Sequence, residues 1–261
     1  MIYLKDKQEI DNIRRGGAIL AAILAELAGL VRPGTGTAEL EELAVRRMKE
    51  AGGEPAFKGY RIEGVRRPFP TALCTSINHE VVHGMALPDR KVAEGDLLKI
   101  DIGLRYRGGY TDMAATVAVG KVSEEKRRLV EVTRASLNAG LRRVRAGNWI
   151  RDIGKAVDAQ VRRAGFSTVK ALCGHGVGRQ VHEDPQIPNY LDRGLEPVRI
   201  AAGMVLAIEP MVNAGDDEVY TLADEWTVAT ADGRPSAHFE VTVALTDDGP
   251  EIMTPQPGVE L

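Results

Sequence analysis

Residues 95–101 read GDLLKID, and residues 203–209 read GMVLAIE. Each stretch begins at a glycine, continues through apolar side chains, and ends in a carboxylate, Asp101 or Glu209. A short apolar run after a glycine turn predicts a buried strand. A buried carboxylate is costly unless it is paired or bound to a metal ion. Because this combination occurs twice, we predict one structural unit that is present in two copies.

A helical segment is also present twice. The run VRPGTGTAELEELAVRRMKEAG begins at Val31 and the run VRAGNWIRDIGKAVDAQVRRAG at Val144, and the two align without a gap. Each run follows another predicted helix. Apolar side chains at helical spacing predict the first over 18–31, and Ser123 followed by two glutamates predicts the start of the second. Two helix pairs therefore accompany the two strand repeats.

The repeats determine the expected fold class. Two copies are too few for a solenoid, so we expect an α+β fold with pseudo-twofold symmetry. The whole chain, 1–261, is expected to form a single domain whose halves cover about 5–120 and 121–250. An apolar fraction of 44% and a charged fraction of 27% are typical of a globular protein.

Charge and hydropathy argue against several function classes. The net charge of −3 does not suit a nucleic-acid binder that relies on bulk electrostatics. The N-terminal residues lack the apolar core of a signal peptide, and the longest apolar run is too short to cross a bilayer and contains Glu26. We therefore expect a cytoplasmic protein that needs no membrane. Its two cysteines, Cys74 and Cys173, are expected to be reduced thiols, with a single disulfide as the alternative.

Two further predicted strands carry acidic residues. The run GLRYRGGYTDMAATVAVG predicts a hairpin that turns at Gly108-Gly109 and carries Asp112 on its second strand. Since Asp101 and Asp112 lie on opposite arms of this hairpin, they can come face to face. The alternating run SAHFEVTVALT is a further strand and carries Glu240.

The glycine-rich run CGHGVGRQVHEDP, residues 173–185, contains two of the five histidines, His175 and His182. One of them completes a set of candidate metal ligands: Asp101, Asp112, His175, Glu209 and Glu240. Four carboxylates in one buried cluster would repel each other and take up protons unless cations neutralised them. Two divalent ions would do so, and an oxygen-rich set with one imidazole suits Mn, Fe(II), Co or Zn.

Five motifs, in this order, resemble those of the type I methionine aminopeptidases: INHEVVHG, IDIG with YTDMAAT, CGHGVGRQVHEDP, IEPMV and HFEVT. The resemblance extends from about residue 5 to 255. It implies the pita-bread (aminopeptidase/creatinase-like) fold, in which an antiparallel sheet is flanked by two helix pairs. It also implies an enzyme that hydrolyses the first peptide bond of nascent proteins and so removes the initiator methionine when the second residue is small.

The resemblance further implies a site with two divalent metal ions. Asp112 and Glu240 would bridge the ions, Asp101 would hold one of them, and His175 and Glu209 would hold the other. Glu209 would also act as the proton shuttle of the hydrolysis.

The remaining site residues implied by the resemblance concern the substrate. His182 would stabilise the tetrahedral intermediate over the scissile amide, and His83 would contact the substrate amide near its free amino group. The methionine side chain would enter an apolar pocket with four wall residues: Tyr60, Phe69, Cys74 and Trp226.

This chain departs from the family pattern at two places. The run RIEGVRRP makes the loop between Tyr60 and Phe69 longer, which bears directly on those two wall positions. Val241 stands where the family usually has a histidine, and we expect this change to tune the surroundings of the ligands without abolishing activity.

Several polar residues also have simpler interpretations. We expect His79 to be an exposed loop residue, and His238, two residues before Glu240, to support the site or lie at the surface. Trp226 could equally be part of the core. The acidic run from Asp216 to Glu218 is expected to be a solvated turn.

Two other functions compete with initiator methionine removal. A proline-specific peptidase of the same fold usually has a glycine after its EP motif, whereas this chain has Met211. A catalytically inactive binding module usually lacks some of the ligands. The segment between His175 and Glu240 is too short to contain the large insertion of type II enzymes. We expect N-terminal methionine peptides as partners, a monomeric protein, and neither nucleic acid nor membrane; a transient contact with the ribosome surface is left open.

Overall fold

The computed structural model describes residues 1–261. Its four helices are α1 (Lys7–Leu30), α2 (Thr37–Glu50), α3 (Glu124–Leu141) and α4 (Ile150–Arg163). Fifteen strands complete the fold: β1 (Glu54–Pro55), β2 (Leu73–Ile77), β3 (Glu80–Val82), β4 (Leu97–Tyr106), β5 (Gly109–Ala118), β6 (Ser167–Thr168), β7 (Cys173–Gly176), β8 (Glu183–Pro188), β9 (Val205–Ile208), β10 (Met211–Asn213), β11 (Val219–Thr221), β12 (Val228–Thr230), β13 (Ser236–His238), β14 (Glu240–Thr246) and β15 (Gly249–Ile252).

Capping groups determine where the predicted helices begin. Helix α1 starts well before the predicted residue 18, because the Asp6 side chain accepts a hydrogen bond from the Glu9 backbone while the Glu9 side chain accepts one from Asp6. Helix α3 begins after Ser123, as predicted, since the serine hydroxyl accepts from the backbone of the third helical residue. That helix ends at Leu141, so Val144 lies in the following turn, where it is nevertheless buried.

A nine-stranded antiparallel sheet connects the two halves of the chain. Its main order is β1-β4-β5-β14-β9-β7-β8, with β2 paired to β4 and β15 paired to β14. The β5–β14 pair, in which Ala114 lies opposite Glu240, joins the strands of the first half to those of the second. Two three-stranded sheets, β13-β10-β6 and β11-β12-β3, lie beside it.

The pseudo-twofold repeat is visible in the backbone hydrogen bonds, because equivalent bonds recur in the two halves at the predicted alignment. The bond from Gly34 N to Val92 O corresponds to that from Gly147 N to Ile200 O, and Thr37 N to Arg90 O corresponds to Ile150 N to Val198 O. Gly95 and Gly203, which open the two repeated strands, have φ values of 86° and 87°. Glycine adopts this left-handed conformation without strain, which explains its place in both repeats.

The helix pairs cover one face of the sheet. Leu98 and Ile100 of β4 pack against α1 and α2, whereas Leu206 and Ile208 of β9 pack against α3 and α4. Because side chains alternate along a strand, Asp101, between Ile100 and Ile102, projects to the opposite face. The fold thus places the polar ends of both repeated strands on the face that the helices leave open.

Three details complete the comparison with the sequence predictions. The hairpin turns at Arg107-Gly108, one residue earlier than predicted, because Gly109 already pairs with Tyr106. Both cysteines are free thiols. The helices of this chain are all too short or too polar for a bilayer crossing.

Candidate active site

Five elements of the large sheet bring the predicted metal ligands together. Asp101 lies on β4, Asp112 on β5 and His175 on β7, while Glu240 is the first residue of β14 and Glu209 directly follows β9. All of them except Glu209 are buried, and Glu209 is largely shielded. The two repeated strands therefore end at one cluster.

Strand register explains why these side chains meet. Asp101 is opposite Ala114 on β5, and Ala114 is in turn opposite Glu240 on β14, so the small alanine side chain lies between the two carboxylates. Asp112, opposite Gly103, is the diagonal neighbour of Asp101 on the same face. The register leaves an open space among the three carboxylates.

The predicted ligand atoms form two groups that share Glu240, and a third group brings Asp112 and His175 near His182. Asp101, Asp112 and Glu240 each offer an atom within 4.8 Å of the others, and so do His175, Glu209 and Glu240. The His175 Nδ1 atom is 2.9 Å from the carbonyl oxygen of Gly176. A ring nitrogen that donates to this carbonyl leaves Nε2, 3.3 Å from Glu209 Oε1, free to bind a metal.

The electrostatics of the cluster fit a bound cation. Burial raises the pKa of Asp101 to about 7 and that of Glu209 to about 7, and it raises the pKa of Asp112 and Glu240 well above the ordinary values. One carboxylate oxygen each of Asp101, Asp112 and Glu240 is buried without a hydrogen-bond partner. Orphaned carboxylate oxygens grouped with an imidazole are the donor set that divalent metal ions bind.

An apolar cavity of about 470 Å³ adjoins this cluster. All of the predicted site residues line it: Tyr60, Phe69, Cys74, His83, Asp101, Asp112, His175, His182, Glu209, Trp226 and Glu240. The rings of Phe69 and Trp226 meet edge to face with centroids 5.2 Å apart. The cavity therefore joins an aromatic wall to the carboxylate cluster.

The longer loop does not displace the wall residues. The Phe69 backbone N–H donates to the Tyr60 carbonyl oxygen at 2.8 Å, which closes the loop at its base. The indole N–H of Trp226 donates to the carbonyl oxygen of Arg67 at 3.1 Å. Hydrogen bonds thus hold the wall in place, and the loop adds to it, because Ile62 borders the cavity and Val65 packs against the cluster that contains Phe69 and Trp226.

The two predicted substrate histidines lie at the border between wall and cluster. The Nδ1 atom of His182 is 2.7 Å from the Tyr60 hydroxyl, and its ring centroid is 4.4 Å from that of His175. His83 has a φ of 60°, an uncommon conformation for a non-glycine residue. Burial lowers the pKa of His182 to about 3 and that of His83 to about 4, so both rings are neutral near pH 7.

Several lining residues were missed by the sequence analysis. Apart from Ile62 they are Phe57, Val82, Ala171, Leu172, Cys173, Gln186 and Met211. Cys173 could have been found, since it is two residues before His175 on the same strand and shares its face. The others come from segments whose approach to the cluster depends on tertiary packing.

The histidines and acidic residues for which simpler interpretations were open lie in different surroundings. His238 is 1% exposed with its Nε2 atom 3.4 Å from Glu209 Oε2, so it supports the site and its surface alternative was wrong. His79 lies in a turn and does not border the cavity. Asp216 and Glu218 are exposed, as predicted.

Val241 and two glycines of the CGHGVG run form part of the surroundings of the cluster. Val241 faces the helix side of the sheet and packs in the core, so it does not contact the ligands from the cavity side. Gly174 and Gly176 allow the close packing of neighbouring strands. A Cβ atom on Gly174 would collide with the carbonyl oxygen of Ala207, and one on Gly176 with that of Asp184.

Comparisons with known proteins agree with this geometry. The model of metallopeptidase family M24 matches residues 11–247. Methionine aminopeptidases of Clostridium perfringens and Bacillus subtilis are 44% and 43% identical to the chain over 254 residues, which cover 97% of this chain and 99% of each relative. The crystal structure of methionine aminopeptidase from Thermotoga maritima has a TM-score of 0.92 at 39% identity and covers 98% of this chain and 100% of that one. The predicted α+β pita-bread fold is thereby confirmed, and the chain belongs to metallopeptidase family M24 and, within it, to the methionine aminopeptidases.

Proposed function

We propose that this metallo-aminopeptidase removes the initiator methionine from nascent proteins whose second residue is small. The observation that carries the proposal is the continuity of the aromatic wall with the carboxylate cluster in one cavity. A methionine side chain placed against Phe69 and Trp226 gains the favourable contact of its sulfur with aromatic rings. Its carbonyl group would then lie beside the cluster, where hydrolysis takes place.

We propose that two divalent metal ions, Mn, Fe(II), Co or Zn, are bound by the cluster. Asp112 and Glu240 would be shared, Asp101 would hold the first ion, and His175 with Glu209 the second. The partnerless oxygens of three carboxylates support this assignment. When bound, the ions would supply Lewis acidity and a water nucleophile at neutral pH.

The positions of the side chains indicate which residues would transfer the proton, bind the substrate amide and form the methionine pocket. The Glu209 carboxyl group, the least buried of the four, would hold the proton that passes to the leaving amine. His182 would donate a hydrogen bond to the oxygen of the scissile carbonyl, and His83 would contact the amide near the free amino group. Tyr60 and Cys74 would complete the methionine pocket with the two aromatic wall residues.

The substrate suggests where the protein works. Because new chains carry their initiator methionine in the cytoplasm, we propose that the protein acts there as a monomer, on N-terminal methionine peptides. Contact with the ribosome surface would be transient, and neither nucleic acid nor membrane would serve as substrate. Sedimentation of the protein alone tests the monomeric state, which a stable dimer would contradict. Sedimentation with ribosomes tests the transient contact, which tight co-sedimentation would contradict.

Peptide hydrolysis tests the proposed reaction. Protein treated with chelator and then loaded separately with Co, Mn, Fe(II) or Zn is incubated with Met-Ala-Ser, Met-Leu-Ser, Leu-Ala-Ser and Ala-Pro. We expect free methionine from Met-Ala-Ser with at least one metal, and much less product from the other three peptides.

A matched pair of variants tests whether activity depends on an acid of the site or on any acidic residue. Glu240→Gln should reduce methionine release to a trace, whereas Asp216→Asn, at an exposed acid outside the cavity, should leave it unchanged. Cleavage of Ala-Pro in place of Met-Ala-Ser would favour the proline-specific alternative. Absence of any cleavage with all four metals would favour the inactive binding module.

A further inference from the structure

The hydroxyl group of Tyr60 lies beside the Nδ1 atom of His182. The Oη atom is 2.7 Å from His182 Nδ1, and the two rings meet at 64° with centroids 4.9 Å apart. The phenol is held in place by its backbone, since the Tyr60 N–H donates to the Phe57 carbonyl oxygen and its own carbonyl accepts from Phe69, each at 2.8 Å. The contact joins two segments that are far apart in the sequence.

The available partners indicate which atom carries the proton. His182 is the one protein group within hydrogen-bond distance of the Tyr60 hydroxyl. If Nδ1 donated to the phenol oxygen, the phenol proton would be left to solvent, and Nε2 would carry a lone pair and could not donate to a substrate. If the phenol donates to Nδ1, the phenol proton forms the hydrogen bond between the two side chains. A neutral imidazole that accepts at Nδ1 carries its single proton on Nε2.

The neighbours of His182 favour the same arrangement. A ring nitrogen of His182 lies within 4.8 Å of a carboxylate oxygen of Asp112 and of a ring nitrogen of His175. Since Nδ1 is engaged with Tyr60, the nitrogen available on the cavity side is Nε2. A neutral His182 that accepts at Nδ1 presents an N–H group at Nε2, which can donate to the carbonyl oxygen of a bound substrate.

We propose that Tyr60 is a positioning residue, whose hydroxyl donates to His182 Nδ1 and thereby keeps the ring proton on Nε2 as a hydrogen-bond donor toward the substrate. This inference rests on the proposed function for the role of His182. It adds to the pocket-wall role of Tyr60 a second role, in which its polar end determines the tautomer of a catalytic side chain. The aromatic ring and the hydroxyl can be tested separately, because phenylalanine keeps the first and lacks the second.

Nuclear magnetic resonance tests the tautomer without any reference to activity. The protein is labelled with [¹⁵N]histidine and loaded with diamagnetic Zn²⁺, and His182 is assigned with the variant His182→Gln. We expect Nδ1 of the wild-type ring to have the chemical shift of an unprotonated nitrogen and Nε2 that of a protonated one. The opposite pattern overturns the proposal, whether or not the protein cleaves Met-Ala-Ser.

Kinetics test the consequence for catalysis. Tyr60→Phe should lower kcat for Met-Ala-Ser by roughly tenfold, which corresponds to the loss of one hydrogen bond, with KM within about twofold because the wall is preserved. On the background of His182→Ala the same change should have no further effect, since Tyr60 acts through the histidine. Bound metal content should be equal in all variants.

Tyr110→Phe is the matched control. Like Tyr60, Tyr110 packs against the apolar cluster that contains Phe69 and Trp226, but it does not line the cavity and its hydroxyl has no side-chain partner, so we expect wild-type kcat. An unchanged kcat in Tyr60→Phe, or an equal loss with and without His182, overturns the proposal. If the wild type itself releases no methionine, the proposed function fails, while the tautomer measurement still decides the role of Tyr60.

Discussion

Glu240 joins two groups of candidate ligand atoms, since it lies near Asp101 and Asp112 on one side and near His175 and Glu209 on the other. Its position is determined by its backbone, since the Gln256 side chain donates to its carbonyl oxygen at 2.7 Å and β5 pairs with it on the other side. One side-chain oxygen has no partner in the protein. The carboxyl group has lost its hydration without gaining a partner for this oxygen in the protein, and it is therefore available to bind a metal ion.

We predict that Glu240→Gln lowers turnover of Met-Ala-Ser by roughly a thousandfold, since several kcal/mol of transition-state stabilisation depend on the bound ions. Asp112→Asn should behave alike. Metal-free Glu240→Gln should melt cooperatively and at least as high as the metal-free wild type, because a buried amide costs less than a buried carboxylate. Steady-state kinetics, metal analysis and thermal melting in chelator check these points. Full activity in either variant would show that the ligand assignment is wrong.

The pH dependence of stability follows from the same carboxylates. In the folded protein the pKa values of Asp101 and Glu209 are raised from 3.8 and 4.5 to about 7, so the folded state binds more protons than the unfolded state between these values. Stability is then highest at low pH and decreases as the pH rises through the folded pKa. The lowered pKa values of His83, His182 and His238 act in the opposite direction, but only below their ordinary value of 6.5.

We therefore predict that the metal-free protein loses thermal stability between about pH 6.5 and 8.5, because the carboxylates of the cluster release their protons there. Burial lowers the pKa of Lys99 to about 7, so this one group acts in the opposite direction in the same range and reduces the loss without reversing it. Bound divalent metal should reduce this loss, since a cation favours the charged carboxylates. Calorimetry in chelator and with added Mn²⁺ measures both curves. A metal-free midpoint that stays constant or rises across this range contradicts the prediction.

At the scale of elements, the loop between β7 and β8 carries His182 and is anchored by a buried ion pair. Glu183 accepts from Lys5 Nζ at 2.6 Å and from the backbone N–H of Gln180 at 2.8 Å, and the side chains of Lys5 and Glu183 are each 1% exposed. The segment before α1 thus holds the loop that carries His182 in place. The N-terminal residues, which were not assigned a role from sequence, contribute to the site through this contact.

We predict that Glu183→Gln lowers the free energy of unfolding by about 3 kcal/mol, because it leaves the buried Lys5 ammonium without its counter-charge. The double variant Lys5→Met/Glu183→Gln should recover part of this loss. Glu26→Gln, which breaks a solvated pair with Arg47, should cost much less than Glu183→Gln, because water already screens that pair. Urea unfolding measures all three, and equal losses in Glu183→Gln and Glu26→Gln would contradict the buried-pair explanation.

At the scale of the whole molecule, the two halves share one sheet and one site. The β5–β14 pair connects them, and α1 of the first half packs with Val177, Val205 and Ala244 of the second. Ligands from both halves meet in the same cluster. Neither half could form the site alone.

We predict that residues 1–261 unfold as one cooperative unit, in agreement with a single domain. Far-ultraviolet circular dichroism reports on all four helices, whereas both tryptophans, Trp149 and Trp226, lie in the second half. Coincident melting curves from dichroism and tryptophan fluorescence, with equal calorimetric and van't Hoff enthalpies, are the expected result. Two separate transitions would show that the halves, about 5–120 and 121–250, are independent domains.

Periodicity, capping residues and motif order are properties of local segments, so the amino-acid sequence was enough to predict the repeats, the helix pairs and the family resemblance, and through that resemblance the antiparallel sheet. It also indicated residues of the site, since a buried strand that ends in a carboxylate is informative without knowledge of its partners. Three relations became visible only in the folded chain: Ala114 separates Asp101 from Glu240, His238 lies against Glu209, and the Tyr60 hydroxyl meets His182. These relations depend on strand register and on packing between segments that are distant in the chain, which no local pattern encodes.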